Sequence, residues 1–337
     1  MHNQQHGGNI TTFAKEIGCR VEEVIDLSSN INFVKPKIEV DFNRLNISPY
    51  PNYERLTNAI AKLYKVKNVQ IELFNGATSA IYALFRALAL EEVTLYAPLY
   101  LEYERAAKIF GYRIEQINRF NGLEKEVKAN SLVVFVNPST PDGKFYNLKR
   151  VMNKWMQKGC TIIIDESFLD FTPYSSLAPY IENYSKLYIL KSMTKFYSAA
   201  GIRIGAIISH RENIEKLKAK EPIWKISEFD SCYLQSALKD NTFMQRSREI
   251  NQKNRQQLTK ILQKSPTICS IYPSSSNFVM IKLQGVDAYQ FQEQLTPFKI
   301  MVRNCSNFKY LDSHYVRVAV KEEKSLKVLE KALNKKE

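Results

Sequence analysis

Residues 186–209 read KLYILKSMTKFYSAAGIRIGAIIS, and this stretch decides the fold. Its two apolar runs, KLYIL and IGAIIS, have the β-branched, unbroken character of buried strands. Lys195 comes five residues after the end of the first run and is followed by a stretch holding small residues, Arg203 and two glycines, Gly201 and Gly205. Outward from here the pattern repeats. From about residue 70 to 210, VTLY, YRIEQI, SLVVFV and CTIIID are separated by helical segments such as SAIYALFRALAL and LKRVMNKWMQK. That alternation predicts an α/β fold with a mostly parallel sheet covered by helices.

After about residue 227 a long helical stretch through QLTKILQK leads into FVMIKL, AYQFQEQL, KIMVR, HYVRVAV and a charged final helix, the order of a smaller α+β domain. The expected division is an N-terminal arm contributing to the small domain over 1–40, a large domain over 41–230, and a connecting helix with the C-terminal small domain over 231–337. At 337 residues the chain has ample length for a sizeable core. Its five cysteines are odd in number and scattered, with no zinc-type spacing, so the expectation is a reduced cytoplasmic protein without a metal. No apolar run approaches a membrane span and the start has no signal-peptide pattern. The formal charge of +14 raises the alternative of a nucleic-acid-binding module. The lysines are spread over helices, however, as on a solvated surface that attracts small anions.

Ligands of such sheets collect at the carboxyl ends of the strands. Asp165 ends IIID, where a desolvated carboxylate needs a partner; a helix cap or a salt bridge would serve as well as a ligand. Lys195 follows the next strand, so an acid and an amine share one sheet edge, as a reactive pair or as a structural ion pair. Asn75, Gly76, Ala77 and Thr78 form a strand-to-helix turn before SAIYALF, whose N–H groups and hydroxyl favour an anion. Ser192, Thr194 and Arg203 could join the same phosphate cradle. Tyr100, just past VTLY, offers a stacking face or ordinary packing. A Schiff-base amine, a carboxylate for a heterocyclic nitrogen, a phosphate cradle and a stacking ring are together the requirements of pyridoxal 5'-phosphate, PLP.

The spacing S-x-T-K-x-x-x-x-x-G-x-R-x-G, with DExF some thirty residues earlier and NPxxPxG before that, resembles the fold-type I PLP enzymes of the class I/II aminotransferase family over nearly the whole chain. The resemblance implies a large domain with a mostly parallel seven-stranded sheet and a smaller α+β domain. Within the family, HGGN (6–9), SSNIN (28–32), DESFLDF (165–171), SMTKFY (192–197) and RNCSNFKYLDSHYVRVAV (303–320) resemble the threonine-phosphate decarboxylases of cobalamin biosynthesis. Their relatives, the histidinol-phosphate aminotransferases, lack the HGGN start. By this resemblance Lys195 matches the Schiff-base lysine, Asp165 the partner of the pyridinium nitrogen and Tyr100 the stacking ring. Gly76, Ala77, Thr78, Ser192, Thr194 and Arg203 match the phosphate cradle, and Tyr50 a tyrosine that reaches the cofactor of the other subunit in a homodimer with shared active sites. Arg317 matches the grip on the substrate α-carboxylate and Arg303 that on its phosphate, with His6 and Asn32 assisting.

This chain departs from the family pattern in NPSTPDG (137–143). Thr140 stands where relatives have the asparagine that hydrogen-bonds the cofactor's 3-hydroxyl, and Asp142 where they have threonine; Thr140 is expected to bind the cofactor by its shorter hydroxyl through a water, and the alternatives are a cofactor held differently or compensation by Asn137. Phe168 replaces a common tyrosine. The resemblance implies decarboxylation of L-threonine O-3-phosphate, or of L-serine O-phosphate, to the amino-alcohol phosphate of the cobalamin nucleotide loop. The alternative is an aminotransferase of the histidinol-phosphate type. Neither nucleic acid nor membrane is an expected partner.

Overall fold

The computed structural model describes residues 7–334. Helix α1 (Ile10–Ile17) starts at Asn9, whose side chain accepts the Thr12 N–H, and strand β1 (Ile25–Asp26) follows. Then come α2 (Glu54–Tyr64), β2 (Ile71–Asn75), α3 (Gly76–Leu88), β3 (Glu92–Ala97), α4 (Glu102–Ile109), β4 (Arg113–Asn118) and β5 (Leu132–Val136). Helix α5 (Lys149–Gln157), β6 (Thr161–Asp165), β7 (Leu187–Ser192), the short α6 (Met193–Phe196) and β8 (Ile204–Ser209) complete a seven-stranded sheet of order β2-β8-β7-β6-β5-β3-β4. Only β8 is antiparallel to its neighbours.

The central strands LVVFV and TIIID are buried at every position because each face of the sheet has its own helical cover. Val133, Phe135, Ile162, Ile164 and Ile189 pack with Leu56, Ile60, Trp155 and Phe196. Their sequence neighbours Leu132, Val134, Ile163 and Leu190 point the other way, to Ala80, Leu84, Tyr103 and Ala106. The parallel strands β2, β3, β5, β6 and β7 end along one edge. Strand β8 runs opposite and so begins there, which brings Arg203 beside the end of β2 and the end of β7: Ile204 pairs with Asn75 and Gly205 with Ser192.

Helices α7 (Arg211–Lys218), α8 (Glu228–Lys239) and α9 (Phe243–Gln263) lead to the smaller domain. There β9 (Ile268–Ile271), β10 (Phe278–Leu283), α10 (Ala288–Leu295), β11 (Ile300–Met301), β12 (Arg303–Asn304), β13 (Tyr315–Ala319) and α11 (Glu323–Asn334) form a four-stranded antiparallel sheet, order β12-β13-β10-β9, with helices packed on it. Helix α9 belongs to both cores: Phe243 packs in the large one, Leu258, Ile261 and Leu262 in the small one. The N-terminal segment is also shared. Strand β1 pairs with β11, Leu27 is buried in the small core, and Asn32 N–H donates to the carbonyl of Lys195 at 3.0 Å.

Candidate active site

A cavity of about 380 Å³ opens at the carboxyl edge of the large sheet, facing the small sheet. At its floor Asp165 is buried, its two oxygens held apart by different donors. Oδ1 accepts the Ser167 N–H at 2.8 Å and Oδ2 the Tyr103 hydroxyl at 2.9 Å. The next residue, Glu166, turns to the other face of the sheet by strand alternation and pairs there with Lys191 at 2.7 Å. Strand position therefore separates a carboxylate of the cavity from a structural one.

Lys195 enters the same cavity from α6, its Nζ 5.2 Å above the ring of Phe168. Desolvation pushes its pKa below the usual lysine value, against the opposing pull of Asp165; Arg203 and Arg317 push further down. The amine is thus easier to deprotonate than a surface lysine. Tyr100 lies half-buried beside it, its hydroxyl 3.3 Å from Thr78 Oγ1.

On the other side the donors converge. Asn75 provides no side-chain cap to α3, so the first N–H groups of that helix remain available at the sheet edge. Ala77 and Thr78 line the cavity there, with Ser192 and Thr194, whose hydroxyls are 2.9 Å apart, and with Arg203. Two glycines allow this convergence. A Cβ on Gly76 would stand 2.5 Å from Arg203 Nη2, and one on Gly205 would stand 2.5 Å from the backbone nitrogen of Ala77.

The far wall comes from the small sheet. Arg303 and Arg317 are directly opposite one another in β12 and β13, hence on one face, and both line the cavity. Arg317 donates from Nη2 to the Ser28 carbonyl at 2.9 Å and from Nη1 to Thr140 Oγ1 at 3.2 Å. Burial lowers its pKa to about 10, still charged at neutral pH. Arg303 Nη2 donates to Asn307 Oδ1 at 2.8 Å, and its guanidinium lies 5.4 Å from the ring centre of Phe308. Gly7 and Gly8 line the same end, with Gly8 N–H bonded to Ser28 Oγ at 2.8 Å.

Several expected site residues are placed elsewhere. The Asn137 side chain does not line the cavity: its amide donates to the Tyr146 carbonyl and its oxygen accepts the Tyr146 N–H, closing the loop on itself. It is turned to the Tyr146 backbone and away from the space that Thr140 lines. The Asn32 amide donates to the Phe196 carbonyl and Ser247 Oγ, and its oxygen accepts from Asn251, so it braces α6 and touches no substrate space. Asn30 and Ile31 line the cavity instead. Tyr50 is 72% exposed and stacks on Trp224, outside this chain's own cavity. His6 lies outside the described residues. Sequence reasoning missed Tyr103 and the buried Arg119–Asp142 pair, whose Nη2–Oδ1 distance is 2.6 Å. Tyr103 follows Tyr100 by three residues at a helix start, and Arg119 follows strand β4, so the strand-end rule reaches both.

An anion cradle, a stacking ring, a buried carboxylate and a lysine amine surround one space, and this donor set fits PLP. Among the described residues no group of histidine, cysteine or acidic side chains could hold a metal, and no helix is long and apolar enough to cross a membrane.

Comparison with known proteins agrees with this geometry. The profile of the aminotransferase class I and II family matches residues 22–334. The chain is 24% identical to a threonine-phosphate decarboxylase of Salmonella typhimurium, covering 95% of this chain and 93% of that protein. Among solved structures it resembles a histidinol-phosphate aminotransferase from Clostridium acetobutylicum, with 32% identity and a TM-score of 0.81 over 91% of this chain and 97% of that one. The L-threonine-O-3-phosphate decarboxylase of Porphyromonas gingivalis shares the fold at 21% identity, with a TM-score of 0.81 over 91% of this chain and 97% of that one. From its sheet order, its cavity and its matched length, the chain belongs to the aminotransferase class I and II family of PLP-dependent enzymes.

Proposed function

We propose that the protein decarboxylates a short amino acid bearing a phosphate, with L-threonine O-3-phosphate as the first choice and L-serine O-phosphate as its close analogue. The observation that carries this reading is the cross-strand pair Arg303 and Arg317 on one wall of the cavity. Two fixed guanidinium groups at neighbouring strand positions call for two anionic groups a few bonds apart on one ligand. Among the described residues lining the cavity Asp165 is the only acidic one, and it lies at the opposite, floor end.

Bound PLP supplies the electron sink for a bond broken at the substrate Cα. In our reading Arg317, whose charge acts on Lys195, holds the α-carboxylate, while Arg303 holds the phosphate end. Fixing both ends sets the angle of the Cα–carboxylate bond, which is what selects that bond over Cα–H. In the net reaction this bond breaks, carbon dioxide leaves and Cα takes one proton. Lys195 Nζ is the donor positioned for it, since its lowered pKa favours release. Asp165, oriented by Tyr103 and Ser167, would hold the ring nitrogen of PLP, and Ala77, Thr78, Ser192, Thr194 and Arg203 would hold its phosphate.

A second reading, amino transfer, is favoured by the 32% identity to a histidinol-phosphate aminotransferase. The two separate in one assay. Incubated with O-phospho-L-threonine, the protein releases carbon dioxide with no keto-acid acceptor; turnover that depends on 2-oxoglutarate and yields no carbon dioxide overturns the first reading. In Lys195→Ala the visible absorbance of lysine-bound cofactor is absent. Its presence there would remove Lys195 from the role proposed.

The working unit in this reading is a homodimer. Tyr50 stacks on Trp224, and these two and the adjacent Ile223 are 72%, 53% and 75% exposed, large apolar side chains in neighbouring positions that a partner surface would cover. A second copy seated there would carry Tyr50 toward its neighbour's cavity. Placement in a cobalamin route goes with this substrate assignment, and a cytoplasmic location is part of the same reading.

A further inference from the structure

The turn 137–146 contains the most heavily tethered polar cluster of the site, and nearly all of its tethers are out of reach of any ligand. Arg119 and Asp142 form an ion pair whose side chains are 1% and 2% exposed. Asp142 Oδ1 also accepts from Ser139 Oγ, and Oδ2 from the Tyr146 hydroxyl at 3.1 Å. The nitrogen of Arg119 that meets Asp142 also donates to the Thr140 carbonyl at 3.2 Å. Asn137 ties the base of the turn to the Tyr146 backbone. Of the residues from 137 to 146, Thr140 alone lines the cavity.

Such a cluster is an expensive way to build a loop. A buried ion pair is often no more stabilising than apolar residues of the same volume, and here Nε and Nη1 of Arg119 are buried with no hydrogen-bond partner. What the cluster does secure is the direction of one hydroxyl. Thr140 Oγ1 receives Arg317 Nη1 while the Ser28 carbonyl receives Nη2, so both terminal nitrogens of one planar group are pinned. A guanidinium held at both ends has a single plane, and a planar fork grips a carboxylate only in that plane.

We infer that Thr140, clamped by the Arg119–Asp142 pair, is a positioning residue that aims Arg317 and so makes the cavity select ligands that carry a carboxylate. The inference rests on the proposed role of Arg317. It differs from the sequence-based expectation for Thr140, which placed its hydroxyl on the cofactor.

Two unreactive probes measure the effect on the cofactor-loaded enzyme: 3-phosphoglycerate, which has phosphate and carboxylate but no amine, and glycerol 3-phosphate, in which a hydroxymethyl group replaces the carboxylate. The carboxylate preference is the ratio of their Kd values by calorimetry. Wild type prefers 3-phosphoglycerate by roughly tenfold or more, the scale of one hydrogen bond to a charged group. Thr140→Val, nearly isosteric, loses about tenfold of that preference. Thr140→Ser keeps it, and cofactor affinity in both stays within about twofold of wild type. Arg119→Met combined with Asp142→Asn removes both charges while keeping an acceptor for Ser139; it folds, by its thermal transition and cofactor binding, and loses the preference as Thr140→Val does. Undiminished preference in Thr140→Val, or a loss of cofactor affinity in its place, overturns the inference. So does a double variant that melts earlier yet keeps the full preference, for the pair would then serve the fold alone. Absence of any preference in wild type strikes the carboxylate role of Arg317 itself, and is read before any variant is made.

Discussion

Tyr103→Phe isolates the second contact of Asp165. Tyr103 is fully buried, and its hydroxyl donates to Asp165 Oδ2 at 2.9 Å. Burial and the neighbouring carboxylate hold the tyrosine pKa well above its ordinary value, so the donor proton is present throughout the working pH range. Phenylalanine fills the same volume, and the substitution therefore removes the hydrogen bond with little change in packing. A hydrogen bond to a charged group contributes about 1.5–3 kcal/mol. For a chain of 337 residues the unfolding entropy is on the order of 0.7 kcal/mol/K, so the thermal midpoint falls by about 2–4 °C. Cofactor affinity falls as well, by about tenfold, because the carboxylate is no longer oriented by both oxygens. Tyr82→Phe is the control: its hydroxyl meets Glu102 Oε2 at 2.8 Å in a half-exposed position, and its loss shifts the midpoint by about 1 °C or less. Thermal shift with and without cofactor, and absorbance titration of cofactor into both variants, give the result. If Tyr103→Phe behaves as Tyr82→Phe does in both, the buried bond does not orient Asp165 and the reasoning fails.

The remaining predictions concern the lysine, the cradle and the exposed surface. Lys195 has a folded pKa below its unfolded value of 10.5, so between the two the unfolded chain holds the extra proton and stability rises with pH. Without cofactor, Lys195→Met is accordingly more stable than wild type at neutral pH, and the gap closes as pH rises toward 10.5; urea unfolding at a series of pH values in which the gap widens would refute this. Gly205→Ala forces a methyl to 2.5 Å from the Ala77 nitrogen and 2.6 Å from the Gly76 carbonyl carbon, both backbone. It should destabilise by about 1–3 kcal/mol and weaken cofactor binding, and unchanged affinity by titration would mean the cradle tolerates displacement. Trp224→Asp places a charge in the exposed aromatic surface beside Tyr50. It should yield a monomer by size-exclusion with light scattering and a lower cofactor affinity; a dimer of normal affinity would locate the interface elsewhere.

What could be read from the sequence was distance along a strand; what could not was the direction of a side chain beyond it. Asp165 and Lys195 follow unbroken apolar runs in a sheet buried on both faces, and such runs end where they do for reasons local to the chain. Asn137 follows an equally apolar strand, LVVFV, but its amide is consumed by Tyr146 nine residues later. Only the path of the loop decides that. Asn32 fails as a substrate contact for a similar reason: its partners, Phe196, Ser247 and Asn251, lie more than 160 residues away and no local pattern signals them. The Arg119–Asp142 pair was hidden because each member alone is an ordinary charged residue, and burial, which makes the pair consequential, is a property of the closed fold. The small domain could be anticipated as a class, from strands and helices mixed without strict alternation and with a share for the N-terminal arm, but nothing local marks Leu27 as the residue that enters its core.

The segment from 27 to 32 ties both halves of the site together. Its carbonyls at Ser28, Asn30 and Ile31 are taken by Arg317, Asn277 and Lys321 of the small domain, while the N–H of Asn32 is taken by the backbone of Lys195 itself. The amine, on the helix after β7, and the two arginines, on the small sheet, are thus tied to each other by one short strap in addition to the shared helix α9. The molecule measures its ligand as a caliper does, between two jaws, and the strap is the screw. A substrate longer by one or two bonds could be accommodated by lengthening this strap with neither jaw altered, which makes residues 27–32, and not the arginines, the natural place to change what the enzyme accepts.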